Sequence, residues 1–259
     1  MTRVLSGAVL IVLAVGLVWF APPPVFFAAA IAIAVLGVYE LTALARASGL
    51  DVALAPPAFA TAIVVASSAV AGALETCLAT ALVAIGGACL GSWRGGPAAL
   101  ATVSASLFPA LYIGLPLSAM IGIRLMTGPP GLFLLMLTVI VSDSMQYYTG
   151  RLFGRRPLAP LVSPKKTIEG AIGGFVFGTA LFVVLGAWWL PAVRIPLRVV
   201  LGVALVALGI AGDLFESMLK RSANVKDSSA LIPGHGGILD RIDALLFAAP
   251  VYYIVLRYV

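Results

Sequence analysis

Long apolar runs, broken at intervals by prolines, glycines and charged residues, dominate the pattern along this chain. Nine such runs can be drawn, at 4–20, 25–45, 57–73, 76–91, 103–123, 131–150, 170–190, 198–219 and 242–258. Runs of about 20 apolar residues cross the hydrocarbon core of a bilayer as helices, which satisfy their own backbone hydrogen bonds. The pattern therefore predicts an all-α, polytopic integral membrane protein with about nine transmembrane helices. The boundary between the third and fourth runs is the weakest, since little more than Glu75 separates them.

The composition supports a membrane protein and excludes an ordinary soluble domain. Of the 259 residues, 62% are hydrophobic and only 10% are charged, whereas soluble domains are about a quarter charged. The net charge of +6 bears on orientation in the membrane, so we expect a lipid bilayer around the protein and no nucleic-acid partner. Cys77 and Cys89 lie in apolar stretches without a metal-type spacing, which indicates buried free thiols.

The distribution of basic residues predicts the topology. With nine spans, twelve of the sixteen arginines and lysines fall on the side of the N-terminus and four on the other side. The positive-inside rule then places the N-terminus and the loops 151–169 and 220–241 in the cytoplasm, for a multi-pass protein of the cell (inner) membrane. Merging the third and fourth spans would give a less clean split of ten to six.

The stretch from Gly212 to Asp243 is the most polar part of the chain. It contains five of the ten carboxylates, two of the four lysines and the only histidine. On a helix, four of its polar side chains would share one face: Asp213, Glu216, Ser217 and Lys220. Asp240 and Asp243 repeat the i, i+3 spacing at a second helix start. Such carboxylates suit Mg²⁺, which takes one or two of them together with substrate phosphates, and the interleaved basic residues suit a phosphate chain. The alternative is a salt-bridged loop at the membrane interface.

A second polar stretch contains the run Ser163-Pro164-Lys165-Lys166-Thr167. Pro164 restricts the backbone, and we expect the two lysines to project together. Thr167 is placed to cap a helix that holds Glu169 in its first turn, and the amides of such a helix start attract anions. The alternative is a pair of lysines that only sets the topology. Against it, all four lysines of the chain lie in the two loops that carry the acids.

Asp143 lies within the sixth apolar run, where a charged side chain is costly unless it is paired or hydrated. It shares a helix face with Tyr147 and Gly150, and we expect this face to point towards the basic loop. The structural alternative is a counter-ion for Arg151.

The first half of the chain, residues 1–126, shows little chemistry, and we treat residues 127–259 as the catalytic half. Glu40, at the end of the second span, is predicted to pair with Arg46 at the membrane interface. Small residues in spans three to five favour close helix packing or a homodimer.

Two motifs resemble one known family. The pattern S-x-L-K-R, four residues, K-D, then I-P-G-H-G-G-I-x-D-R-I-D occupies Ser217 to Asp243. It resembles the signature of the phosphatidate cytidylyltransferases. The run S-P-K-K-T-x-E-G, with S-D…Y…G-R-x-F-G upstream of it from Ser142, resembles the other region that these enzymes share. Together the matches span Ser142 to Asp243. Ile168 stands where tryptophan is common in the family, and Met145-Gln146 where smaller residues are common.

The resemblance implies transfer of a cytidylyl group from CTP to phosphatidic acid, which forms CDP-diacylglycerol and pyrophosphate in phospholipid biosynthesis. It implies Mg²⁺, with room for a second, monovalent or divalent, cation. On this basis the expected catalytic residues are Asp143, Asp213, Lys220, Arg221 and Asp240. The expected metal ligands are Asp213 and Asp240, with Glu216 and Asp243 in outer or water-mediated positions. The expected substrate-binding residues are Ser163, Lys165, Lys166, Thr167, Glu169, Ser217, Lys226, Asp227, His235, Gly236, Gly237 and Arg241.

His235 is expected to bond a phosphate or the ribose, or else to be a capping or core residue.

Three other functions are alternatives to cytidylyl transfer. An ion-coupled transporter would also bury acids, but it predicts broken helices in paired halves, which the sequence does not show. A scaffold that binds anionic lipids leaves the acids unexplained. A CTP-using lipid kinase differs in releasing CDP instead of pyrophosphate.

Overall fold

The computed structural model describes residues 2–95, 97–232, 234 and 236–259. This part of the chain forms nine α-helices and one two-stranded sheet. The helices are α1 (Thr2–Trp19), α2 (Pro23–Ala47), α3 (Ala55–Ala66), α4 (Leu74–Ser92), α5 (Ala99–Pro109), α6 (Leu115–Phe153), α7 (Ile168–Trp189), α8 (Ile195–Ser222) and α9 (Leu239–Arg257). The strands are β1 (Pro157–Ala159) and β2 (Ser163–Thr167), which pair antiparallel with Pro157 opposite Thr167.

Several of these helices are built to span a membrane. Five segments are long and apolar enough to cross one: Pro23–Ala47, Leu74–Ser92, Ala99–Phe153, Ile168–Trp189 and Ile195–Ser222. The shorter apolar helices are Ser6–Trp19 and Ala55–Ala69. The prediction of a helical integral membrane protein is therefore confirmed, while the count of nine crossings and the side of the N-terminus stay predictions.

The weakest predicted boundary is a true helix break. After α3 the chain forms a 3₁₀ turn over Ser67–Ala69 and reverses at Gly72, whose φ of 76° favours glycine, before α4 begins. The third and fourth runs are thus separate helices, while the number of membrane crossings that they make stays a prediction.

Helix α6 is interrupted at Gly128, and the fifth and sixth apolar runs lie on either side of this break. This residue has a φ of 70° and a ψ of −172°, and Pro129 and Pro130 follow it. Proline lacks the amide that an α-helix needs at an interior position, which explains why the helix is interrupted here. A π-helical turn over Ala110–Gly114 also follows Pro109, where a kink is predicted.

The chain divides into two compact units. The first comprises Met1–Gly122 and Leu219–Arg241, and the second comprises Ile123–Met218 and Ile242–Val259. The first break falls close to the predicted division at residue 126, but Leu219–Arg241, most of the polar stretch from Gly212 to Asp243, belongs to the first unit. The assignment of functional halves stays a prediction.

In the first unit, small residues let the helices approach closely. Ala60, Val64, Ala81, Ile85 and Ala110 form a buried cluster of α3, α4 and the π-helical turn. A Cβ on Gly37 of α2 would lie 3.2 Å from Ile113 and 3.3 Å from Leu239. The C-terminal half of α2, at Gly37, therefore packs against the start of α9.

In the second unit, α7 presents glycines to the C-terminal part of α6. A Cβ on Gly170 would lie 2.7 Å from the carbonyl oxygen of Gln146, and one on Gly178 would lie 3.0 Å from Ser142. Helices α8 and α9 also approach closely, since a Cβ on Gly212 would lie 2.5 Å from the carbonyl oxygen of Asp243. These close approaches require glycine and bring the polar ends of the helices together.

Candidate active site

In the second unit, Lys166 of β2 forms an ion pair with Asp213 of α8. The two side chains are 18% and 27% exposed. Ser217, one turn after Asp213, donates its hydroxyl to Asp213 Oδ1 at 3.3 Å. The two polar stretches of the sequence thus come together here, with the Lys166 ammonium group beside the Asp213 carboxylate.

The two adjacent lysines do not project together, and that prediction is wrong. Ser163–Thr167 forms a strand, in which successive side chains point to opposite faces. Lys166 is half-buried against Asp213, whereas Lys165 is exposed. The two lysines therefore have different environments and are expected to have different roles.

The start of α7 is held as the sequence predicts. Thr167 is the N-cap, and its hydroxyl accepts a hydrogen bond from the Gly170 amide at 3.1 Å. Glu169 accepts from the amides of Arg155 and Arg156 at 3.0 and 3.2 Å. It thereby ties the basic turn to the helix, beside an open cavity of about 360 Å³ lined by Leu152, Phe153, Gly154, Arg155 and Glu169.

Asp143 is exposed on α6. Arg151, the counter-ion considered for Asp143, donates to the Tyr147 hydroxyl at 3.4 Å. Gly150, on the same face, lies against the cap of α7, because a Cβ there would be 2.9 Å from Thr167 Oγ1. The face that carries Asp143 therefore leads to the SPKKT strand, as expected.

The remaining acids of the second unit are Glu216 and Asp243. Glu216 is fully buried on α8. Asp243 is half-buried on α9, and its Oδ1 accepts from the Ala244 amide at 2.7 Å. Because α8 and α9 approach at Gly212, the backbones of Asp213 and Asp243 lie on neighbouring turns of two helices.

In the first unit, Asp240 forms the second lysine–aspartate pair. Lys220 Nζ lies 2.5 Å from Asp240 Oδ1, and the two side chains are 10% and 6% exposed. Oδ2 accepts from the amide and hydroxyl of Ser228 at 3.0 and 2.8 Å and from the Gly237 amide at 2.8 Å. Burial disfavours the charged carboxylate, but the hydrogen bonds from Lys220, Gly237 and Ser228 outweigh it and hold the pKa of Asp240 below its usual value.

Glu40 is the residue that sequence reasoning missed. It is fully buried, and it accepts hydrogen bonds from the hydroxyls of Ser228 and Ser229 and from the amides of Ile238 and Leu239. The prediction of a Glu40–Arg46 pair is wrong, because Arg46 Nε donates to the Val52 carbonyl at 2.8 Å. The only sequence signal was a carboxylate within an apolar helix, which is costly to keep without partners.

The glycines of the signature make room for these carboxylates. Gly236 has a φ of 74°, and a Cβ there would lie 2.5 Å from Asp240 Oδ2. A Cβ on Gly237 would collide with Ser228 Oγ and both carboxylate oxygens of Glu40. Contacts within the protein therefore explain both glycines, and their role in substrate binding stays a prediction.

Four more of the predicted site residues lie at the surface of the same unit. Lys226, Asp227 and Arg241 are exposed, and Arg221 donates to the Val225 carbonyl at 2.9 Å. His235 lies outside the described residues. Among the residues that the structure describes, no group of three or more His, Cys, Asp or Glu side chains is arranged to hold a metal ion.

The fold and these sites define a helical integral membrane protein that carries two lysine–aspartate pairs beside basic loops. The profile of the cytidylyltransferase family matches residues 1–259, and the chain belongs to this family. The phosphatidate cytidylyltransferase of Haemophilus influenzae is 50% identical over 129 residues, which are 47% of this chain and 45% of the relative. That of Thermotoga maritima is 42% identical over 161 residues, 60% of each chain. That of Synechocystis is 47% identical over 133 residues, 49% of this chain and 44% of the relative. The aligned segments thus cover about half the length of these curated relatives.

Proposed function

We propose that this protein transfers the cytidylyl group of CTP to phosphatidic acid, with release of pyrophosphate. The observation that carries the proposal is that both aspartates expected to bind a metal are paired with lysines of the two signature regions, Lys166 with Asp213 and Lys220 with Asp240. The names of the similar proteins support the same substrates.

The reaction asks little covalent chemistry of the protein. A phosphate oxygen of the lipid attacks the α-phosphorus of CTP, the bond from that phosphorus to the β-phosphate oxygen breaks, and pyrophosphate leaves. Two anions must therefore be brought together, and negative charge develops on the leaving group. Paired carboxylates and ammonium groups suit both needs, since the carboxylates would hold a cation and the ammonium groups would hold phosphates.

The chemistry of these carboxylates suits Mg²⁺. Carboxylate oxygens are the hard ligands that this ion prefers, and one or two of them suffice because substrate phosphates and water complete its coordination. We assign Asp213 of the second unit and Asp240 of the first unit each as a residue that would hold Mg²⁺, with Glu216 and Asp243 acting through water, and a second cation belongs to the same proposal. When bound, the ion would neutralise phosphate charge and align the α-phosphate.

The lysines and arginines hold the phosphates in this proposal. Lys166 and Lys220 neutralise their aspartates in the substrate-free protein and turn to phosphate oxygens when the nucleotide binds. Lys165, Lys226 and Arg241 are exposed and available to the triphosphate or the lipid headgroup. Asp143 and Arg221 complete the proposed catalytic set, and the site faces the cytoplasm, where CTP is present.

The test is to identify the products made by the purified protein. Protein in detergent is incubated with CTP, Mg²⁺ and phosphatidic acid, and lipids are analysed by mass spectrometry while pyrophosphate is measured in parallel. We expect CDP-diacylglycerol and pyrophosphate in equal amounts, and we expect Asp213→Asn to abolish most of both. Consumption of CTP without a CDP-lipid would refute the proposal.

A further inference from the structure

We propose that Glu40 is a positioning residue for the site on the first unit. From α2 it holds the loop between α8 and α9, so that Asp240 and Lys220 are presented in one arrangement. The inference rests on the proposed function, but nothing in the sequence motifs includes Glu40.

The first step concerns the hydrogen bonds that the two oxygens of the Glu40 carboxylate accept from the loop. Oε1 accepts from Ser229 Oγ at 2.7 Å and from the Ile238 amide at 2.8 Å. Oε2 accepts from Ser228 Oγ and the Leu239 amide, each at 2.9 Å. Each oxygen thus binds one hydroxyl and one amide, and all four donors come from the single segment 228–239.

The second step is the connection from Glu40 to Asp240. Ser228 Oγ lies 2.9 Å from Glu40 Oε2 and 2.8 Å from Asp240 Oδ2, so its single hydrogen is shared between the two carboxylates, and its amide also donates to Asp240. Asp240 in turn holds Lys220. A displacement of Ser228 would therefore change the position of the aspartate and of its lysine.

The third step is the start of α9. Ile238 and Leu239 lie at the N-terminus of this helix, and their amides have no partner within it. Glu40 accepts from both, and a negative charge at a helix N-terminus is favourable. The carboxylate therefore fixes where α9 begins, one residue before Asp240.

The contribution of Glu40 is distinct from the packing of α2 against α9. A carboxylate buried on an apolar helix is costly, and only its hydrogen bonds offset that cost. The packing of α2 against α9 is already supplied by Gly37 and Leu239, which are apolar. What Glu40 adds is the connection to the serines and amides around Asp240.

The decisive variant is Glu40→Gln. The side chain keeps its size, but its amide nitrogen cannot accept, so one backbone amide of the loop loses its acceptor and one serine hydroxyl must accept where it donated before. We expect kcat for CDP-diacylglycerol formation to fall by about tenfold to a hundredfold, as for residues that orient a metal ligand, with KM for CTP changed much less. Glu75→Gln is the matched control, because Glu75 is exposed on α4 of the same unit. It should keep wild-type kcat.

Hydrogen exchange gives a readout that does not depend on activity. In Glu40→Gln, amides of residues 225–239 should exchange faster, while peptides of α4 and α7 stay as protected as in the wild type. Ser229→Ala is a milder variant that removes one donor to Glu40 and leaves Asp240 untouched. It should show smaller changes in the same segment and in kcat.

Two results would overturn the inference. One is Glu40→Gln with wild-type kcat, and the other is a loss of protection spread evenly over all helices, which would mean a general structural role. A wild-type protein that makes no CDP-diacylglycerol would sink the proposed function itself. An active wild type with an indifferent Glu40→Gln variant would sink only the role of Glu40.

Discussion

Because Lys166 is paired and Lys165 is exposed, the two adjacent lysines should differ sharply in their effect on turnover. We consider Lys166→Met and Lys165→Met, which remove the charge and keep most of the side-chain length. Lys166→Met leaves Asp213 without its cation in a site where the two side chains are only 18% and 27% exposed. Lys165→Met removes a cation from an exposed position of the same strand.

The magnitude follows from this difference in burial. Two unit charges about 4 Å apart attract by about 4 kcal/mol at an effective dielectric constant of about 20. Partial exposure and the desolvation of both groups leave about 1–3 kcal/mol of net stabilisation. For turnover, loss of one positioned cation from a phosphate site should cost about a hundredfold, or about 2.7 kcal/mol in the barrier. For Lys165→Met we expect about tenfold or less.

The assay measures incorporation of radiolabelled CTP into lipid, normalised to the amount of protein in the membrane fraction. Both variants should insert normally, since the remaining basic residues still set the topology. The double variant Lys166→Met with Asp213→Asn should cost little beyond the worse single variant, because the two residues act as a unit. Equal losses for the two lysine variants, or additive losses in the double variant, would refute the ion-pair reasoning.

Three further predictions concern the polar loops. Asp240→Asn removes the negative charge that pairs with Lys220, and it should reduce turnover about a hundredfold and raise the Mg²⁺ concentration needed for half-maximal activity. Asp227→Asn, at an exposed position, should reduce turnover much less. Equal losses in the two variants would remove Asp240 from the site. Glu169→Gln should weaken the hold on the turn at Arg155 and raise KM for CTP about threefold to tenfold in steady-state assays, and an unchanged KM would show that the turn does not contact nucleotide. A cysteine at Ala230, which is exposed, should react with membrane-impermeant reagents only after the cytoplasmic side is opened, and labelling from outside would reverse the topology.

The helices could be predicted from the sequence because the elements that end them are local. Gly72, Gly128 and the prolines that follow Gly128 interrupt the apolar pattern where the backbone itself is interrupted. The cap at Thr167 is likewise a property of neighbouring residues. Such features need no knowledge of the tertiary structure.

The parts of the site that depend on distant residues could not be predicted in the same way. The strand over Ser163–Thr167 forms by pairing with Pro157–Ala159, and that pairing is what separates the two lysines. Glu40 meets donors 188 or more residues away, while Arg46, the nearest cation in the sequence, binds a backbone carbonyl. A buried carboxylate that accepts from hydroxyls and amides leaves no pattern of charge in the sequence from which these partners can be predicted.

The central claim is that the lipid receives the α-phosphate of CTP together with its nucleoside. It is tested most directly by giving the purified protein phosphatidic acid, Mg²⁺ and CTP labelled on either the α- or the γ-phosphate. The account predicts that the α-label moves into the lipid fraction as CDP-diacylglycerol and that the γ-label appears only in pyrophosphate. Transfer of the γ-label to lipid, with release of CDP, would contradict it and identify a CTP-using lipid kinase.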